Sequence, residues 1–465
     1  MSFFESLVSH CTEIATSIAP KEIFVGIISF SWATFLWEEY LSYRQRCVVE
    51  KNKLVPAELR GVIDRETFDK ARAYAIDKGK FGLAESIYSQ ILGTGVMVYG
   101  GLPWLWDTAG STIAALGFEP DNNEILQTIA FLTICNGITS LLNLPWSAYF
   151  TFKIEQKHGF NKQTPGFFIK DKLKKLALTQ IISAPVVAGL VYIIKAGGDY
   201  FFFYLWLFTT GVFMFFMTIY PDLIAPLFDK YEPLPEGELR TKIETLAARI
   251  SFPLTKLYVV EGSKRSAHSN AYFYGFFNNK RIVLYDTLLQ DYTPLNTEEA
   301  GEEQKELVKK KTGCNTIEVM AVLGHELGHW KLNHVLKGIV ISQVNLFMIF
   351  GVFGALYKYK PLYRAFGFST QPALLGLIIV MQYVFAPYNE LLSFLMNMFS
   401  RRNEYQADEF AVSLGYKEEL QSALVKLNKD NLGFPVHDPL YSAWHHSHPP
   451  LLHRLKALRA HSKTD

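Results

Sequence analysis

The sequence predicts an all-α integral membrane protein, seven spanning helices around one polar domain that holds a small β element. Three observations predict it. Of 465 residues, 49% are hydrophobic and 15% aromatic but only 19% charged, against the roughly 25% charge usual in soluble domains. Seven stretches reach or approach the about 20 apolar residues that a bilayer core demands of a helix. The one long polar interval, 222–337, carries strand-like runs and a single run of helical period.

The spans are 23–41, 86–106, 125–152, 176–194, 200–220, 338–357 and 372–397. Long helices buried in a soluble protein do not recur seven times at this apolar length. Glu5, Glu13, Lys21 and Glu22 precede the first span, with no basic n-region or small-residue cleavage site, so that span reads as retained. Orientation follows the lysines and arginines of the loops. Loop 42–81 holds ten, loop 107–124 none and loop 153–175 seven. Loops 42–81 and 153–175, segment 221–337 and the C-terminus are therefore expected on the cytosolic side. Polar residues inside the spans, among them Glu85, Gln90, Asn136, Gln343 and Glu390, are expensive against lipid. They predict helix-to-helix hydrogen bonds and a bundle with a wet interior.

The remaining composition excludes other classes. With 46 Lys+Arg against 44 Asp+Glu the net charge is +2, not the basic excess of a nucleic-acid binder. Cys11, Cys47, Cys135 and Cys314 lie far apart without a CxxC pair, so they read as four reduced thiols.

Within the polar interval, KLYVV (256–260) and RIVLY (281–285) read as strands, and NAYFYG (270–275) alternates like an edge strand. Stretch 291–312 is charged with no apolar face and reads as a solvated loop. The run IEVMAVLGHELGHWKLNH (317–334) reads as one helix. His325 and His329, four apart, project from one face, a spacing that lets two imidazoles hold one Zn²⁺. Glu326 sits beside the first ligand as a general base, the zincin H-E-x-x-H pattern. Gly324 and Gly328 are costly in a helix and would let another backbone approach. His334, five residues beyond His329 on the assumed helix, reads as structural or surface.

Catalytic zinc needs a third protein ligand. In RRNEYQADEFAVSLG (401–415), Glu404 supplies it, and Asp408, one turn later on the same face, is placed to accept an imidazole N–H. His329 lies nine residues before the sixth span and Glu404 seven after the seventh, so both stand within about 15 Å of a membrane boundary. His448, before Pro449 and Pro450, is a candidate donor to a tetrahedral oxyanion. The domains expected are a five-helix membrane region at 1–221, a cytosolic-side metalloprotease domain at 222–337, spans six and seven at 338–400, and a C-terminal region at 401–465 that completes the zinc site.

HELGH (325–329), RRNEYQAD (401–408), LVKLNKDNLGFP (424–435) and HHSHPPLLHRL (445–455), with seven spans, resemble the type I CAAX prenyl proteases. These are the zinc endoproteases of the a-factor-converting and prelamin A-processing kind. The resemblance implies a hollow seven-helix barrel in the endoplasmic reticulum and inner nuclear membranes, with one zinc ion facing a chamber. It also implies removal of the last three residues of prenylated CAAX proteins and, in some members, a second, N-terminal cleavage. His325, His329 and Glu404 would be ligands, Glu326 the base and His448 a transition-state contact. Asn270, Ala271 and Tyr272 would belong to an edge strand that pairs with the peptide. His453 stands where the family pattern expects an acid. The alternative expectation is a membrane quality-control zinc protease acting on unfolded clients.

Overall fold

A computed structural model describes residues 18–264, 268, 271–275, 280–290 and 313–461. Asn270 and the charged stretch 291–312 lie outside the described residues. Helix α1 (Pro20–Lys51) contains the first apolar run and extends beyond it. Helix α2 (Arg65–Val98) starts at Asp64, whose carboxylate accepts the Thr67 N–H at 2.8 Å, the usual way to satisfy an orphan first-turn donor.

The apolar run 86–106 is not one helix. Helix α2 stops at Val98, Gly100 takes φ 66°, and a separate helix α3 (Gly101–Ala115) follows. Glycine reaches this left-handed backbone without steric cost, so the chain turns inside an uninterrupted apolar stretch. Helix α4 (Glu124–Tyr149) runs on through a π-helical turn at Phe150–Glu155. Helices α5 (Pro165–Ala196) and α6 (Phe201–Ile219) complete the N-terminal half.

The polar interval forms β1 (Tyr231–Pro233), α7 (Glu238–Arg249), β2 (Leu254–Val260), β3 (Ala271–Tyr274), β4 (Lys280–Tyr285) and α8 (Thr316–Lys331). Then come α9 (His334–Leu356), α10 (Lys360–Ala365), α11 (Ala373–Ile379), α12 (Ala386–Ser413), α13 (Lys417–Asp430), α14 (Pro439–His445) and α15 (Leu451–Ala460). The sheet order is β1-β2-β4-β3, with β2 and β4 parallel and the outer pairs antiparallel. All three expected strands are present, and β3 is an edge as its alternation suggests. Strand β1 and helix α7 are additions that short, mixed patterning did not announce.

Among the described residues, four segments are long and apolar enough to cross a membrane: Glu124–Glu155, Pro165–Ala196, Gly198–Leu227 and His334–Leu356. A fifth arises where 373–384 and α12, bent by 60°, count as one span. Only 6–17% of each apolar window in those four is buried within the protein. Helices this apolar that face outward need a lipid solvent, because soluble surfaces do not carry such patches. Polar groups on the apolar helices link neighbours: Gln90 to Ser31, Gln127 to the Trp106 carbonyl, Thr133 to Gln180, and Thr210 to Gln343. Cys47, Cys135 and Cys314 are free thiols.

A second core lies under the sheet. Ile282, Leu284 and Leu288 pack with Val319, Leu323 and Leu327 of α8 and with Ile243 of α7. This apolar layer fixes α8 against β4, and so fixes the direction in which the opposite face of α8 points.

Candidate metal centre

Helix α8 is anchored at its start. The Asn315 side chain accepts the N–H groups of Ile317 and Glu318, and Glu318 accepts the Asn315 N–H at 2.8 Å, a capping box. Ser422 and Lys426 of α13 each hold the Glu318 carboxylate at 2.6 Å. The expected single helix over 317–334 is interrupted. Helix α8 ends at Lys331, Asn333 takes φ 56°, and α9 begins at His334. Asparagine is among the few residues that tolerate this left-handed conformation.

Helix α12 crosses α8 closely. A Cβ on Gly328 would stand 3.1 Å from the Ala407 Cα, while Gly324 has only ordinary contacts with Leu414, Tyr416 and Ala411. The missing side chain at Gly328 thus lets the two backbones approach, and the faces carrying His325, His329 and Glu404 meet. His325 Nε2 lies 3.2 Å from His329 Nε2 and 3.4 Å from Glu404 Oε2, and His329 Nε2 lies 3.2 Å from Glu404 Oε1. His325 and Glu404 are buried, and His329 is nearly so.

This donor set fits zinc. One donor atom from each of the three residues lies within 4.8 Å of the others, close enough for all three to reach one ion whose ligands stand at about 2.0–2.2 Å. Two imidazole nitrogens turned toward each other, next to a carboxylate, leave lone pairs aimed at one point. Glu404 Oε2 is 2.9 Å from His448 Nδ1, yet it is a buried oxygen without a properly aligned hydrogen bond, and a cation would satisfy it. Burial acts to lower the His325 pKa, but Asp408 and Glu404 outweigh it and raise the value to about 9, so the pocket favours positive charge there.

Each imidazole is held from behind. His325 Nδ1 is 2.9 Å from Asp408 Oδ1, and Arg454 grips Asp408 through Nη2 at 2.5 Å and Nε at 2.9 Å. His329 Nδ1 is 3.0 Å from His334 Nδ1, and His334 Nε2 is 3.1 Å from Gln406 Oε1. With each His Nε2 free to ligate, Nδ1–H of His325 donates to Asp408 and Nδ1–H of His329 donates to His334. His334 then uses Nε2–H toward Gln406. This is the outer arrangement that orients ligating histidines in metal sites.

A cavity of about 220 Å³ is lined by Ala271, His325, Glu326, Glu404, His448 and Arg454, among others. Burial raises the Glu326 carboxyl above its ordinary value, against the pull of His325 and His329. The segment carrying His448 is tied to α12, where Asn397 donates to the Trp444 carbonyl and Arg401 to the His446 carbonyl, both at 2.6 Å. The His448 side chain remains 67% exposed. Ala271 reaches the cavity from the edge strand. Tyr272 does not: side chains alternate along a strand, and Tyr272 lines a separate cavity of about 760 Å³, where its hydroxyl lies 3.2 Å from that of Tyr231. Asn270 lies outside the described residues.

Two residues at the site were not legible as site residues. His334 is buried against His329 because the chain turns at Asn333; on an unbroken helix it would face elsewhere. Arg454 carried no signal beyond its place in HPPLLHRL. Its neighbour His453 is exposed and takes no part.

Comparison with known proteins agrees with this architecture. The family model described as "CAAX prenyl protease N-terminal, five membrane helices" matches residues 44–230, and that of peptidase family M48 matches residues 233–462. The chain is 54% identical over 457 residues to a Mus musculus protein named CAAX prenyl protease 1 homolog, covering 95% of this chain and 96% of that one. CAAX prenyl protease 1 of Saccharomyces cerevisiae is 37% identical over 452 residues, covering 93% and 94%. The crystal structure of S. mikatae Ste24p is similar at a TM-score of 0.81 and 37% identity, over 95% of this chain and 99% of that one. The chain belongs to peptidase family M48, among its CAAX prenyl proteases.

Proposed function

We propose that this protein removes the C-terminal tripeptide from prenylated CAAX proteins, using one zinc ion per chain held by His325, His329 and Glu404. As a CAAX prenyl protease of family M48 it is a multi-pass membrane metalloprotease that processes CAAX proteins. The observation that carries the zinc assignment is the convergence of two imidazole nitrogens and the two oxygens of one carboxylate, at separations of 3.2–3.4 Å. Two histidines and a glutamate without thiolate are a donor set of catalytic zinc sites.

Zinc, when bound, supplies a Lewis acid that polarises the scissile carbonyl and lowers the pKa of water toward about 7. Glu326 takes the proton of the attacking water and passes it to the leaving amine nitrogen, and its burial-raised pKa suits both transfers. His448 stands beside Glu404 with an accessible ring and donates a hydrogen bond to the oxyanion oxygen. Asp408 and His334 hold the ligand imidazoles so that both Nε2 atoms face the centre. The substrate extends along β3, the last strand in the sheet order, in the manner of strand addition, and Ala271 lines the cavity with Glu326 and Glu404.

In the full reading, seven spans enclose a barrel whose metal faces inward, residues 1–221 and 338–400 embed it, and 222–337 with 401–465 build the site. The positive loops put that site on the cytosolic or nucleoplasmic side of the endoplasmic reticulum and inner nuclear membranes. The test is to incubate the purified protein with farnesylated and unprenylated C-a-a-X peptides, with and without a chelator, and to measure zinc. Chelator-sensitive release of the tripeptide from the farnesylated peptide alone is the expected result. Equal cleavage of both peptides overturns the substrate assignment.

A further inference from the structure

Well away from the metal ligands, α2 and α4 frame a cavity of about 650 Å³ lined by Asp77, Lys80, Phe81, Trp146, Lys153 and Lys157, with Ala84, Pro145 and Tyr149 also on its wall. Its floor is aromatic. Phe81 lies parallel to Tyr149 at 6.0 Å and edge-on to Trp146 at 5.7 Å, which joins the two helices. Its rim is basic. Asp77 is matched by Lys157 and by His158, each at 2.7 Å. Lys80 and Lys153 are exposed, and neither has a carboxylate partner among the described residues. The π-helical turn at Phe150–Glu155 carries Lys153 onto this rim; such turns recur at functional sites.

The cavity opens on the apolar side of α4. On α4 the line Ile138, Leu141, Pro145 and Tyr149 is exposed and apolar, whereas Asn136, Ser140, Asn143 and Ser147 form a polar line. Residues two apart stand about 200° apart on a helix, so these are opposite sides, and Pro145 and Tyr149 place the cavity on the apolar one. On α2 the cavity residues Lys80 and Ala84 continue into Ile87, 41% exposed, and Ile91, 59% exposed. The basic rim lies at the end of the bundle that meets the catalytic domain. Glu155, beside Ile154 of the cavity wall, contacts the Tyr74 hydroxyl and lies 3.7 Å from Nε2 of His268, just before β3.

We propose that this cleft binds the headgroup of one anionic glycerophospholipid, with its acyl chains along the apolar lines of α2 and α4. Lys80 and Lys153 bracket the phosphate, the aromatic floor carries the glycerol and upper acyl region, and Lys157 stays engaged with Asp77. Basic pockets between membrane helices are a recurrent way to hold such headgroups.

The test reconstitutes the full chain in nanodiscs of phosphatidylcholine with and without phosphatidylinositol and counts retained lipid by native mass spectrometry. The wild type is expected to retain phosphatidylinositol over phosphatidylcholine. In K80A/K153A that retention should fall about 30-fold, from about five- to sixfold for each lysine at an anionic surface. K80R/K153R should keep it, and K170A/K172A, which removes basic charge elsewhere on the same side, should leave it unchanged. Equal retention by wild type and K80A/K153A overturns the proposal, as does an equal fall in K170A/K172A. Displacement of the lipid by inorganic phosphate or by soluble glycerophosphoinositol overturns the acyl-chain part and leaves an anion site.

Discussion

The Nδ1 atoms of His329 and His334 lie 3.0 Å apart across a helix break whose pivot, Asn333, has φ 56°. Two like nitrogens at this distance require one donor and one acceptor. The arrangement therefore selects the tautomer of His329 that keeps Nε2 free, and Gln406 selects the matching tautomer of His334. Replacing His334 by Phe keeps the bulk and removes the acceptor. Loss of such an outer partner costs about 10–100-fold in metal affinity. A chelator-competition titration reads the change, and zinc affinity equal to the wild type would show that His334 only fills space.

Glu326 lines the cavity beside the ligands. Glu326→Gln keeps shape and burial but cannot carry the proton, so zinc content is expected to stay stoichiometric while kcat falls by at least about 10²–10⁴-fold. Glu404→Ala is expected to lose the metal itself. Elemental analysis beside single-turnover cleavage separates the two. Near-wild-type cleavage by Glu326→Gln removes it as the base, and full zinc in Glu404→Ala removes it as a ligand.

Arg454 and Asp408 form a buried two-point pair, with side chains 11% and 3% exposed. Removing one partner of a buried pair costs about 3–5 kcal/mol because the other charge is stranded. Arg454→Ala is expected to lower thermal stability by that order and to weaken zinc binding, since Asp408 loses its hold while still holding His325. Arg454→Lys keeps the charge without the planar fork and should fall between. Unchanged melting in Arg454→Ala would mean that Asp408 is held by other contacts.

Glu318 makes the start of α8 sensitive to acid. Burial acts to raise its carboxyl, but Lys426, Ser422 and the Asn315 N–H outweigh it and lower the pKa. The folded value therefore lies below the unfolded one of about 4.3. The associated stability is complete above about pH 4.3 and drains away as pH falls through the folded pKa. Glu318→Gln should flatten the loss of stability as pH falls below about 4.3, as read from denaturation midpoints at each pH. Parallel curves for the two proteins would exclude Glu318 as a source of that slope.

The donor pattern of the candidate site and the apolar character of the helices around it are legible in local spacing. Apolar runs near bilayer length, the i,i+4 spacing of His325 and His329, the i,i+4 spacing of Glu404 and Asp408, and the alternation of β3 are local patterns, and helix and strand periods convert them directly into faces. Other relations are not encoded by local periods and come from packing. The break at Gly100 lies inside an apolar run that composition alone reads as continuous. Asn333 turns His334 back onto His329, a matter of one backbone dihedral. Arg454 reaches Asp408 from a helix 46 residues later in the chain, and Gly328 matters only because Ala407 of another helix presses against it. Spacing along one helix follows from covalent geometry, whereas contact between helices depends on packing distances set by the whole chain.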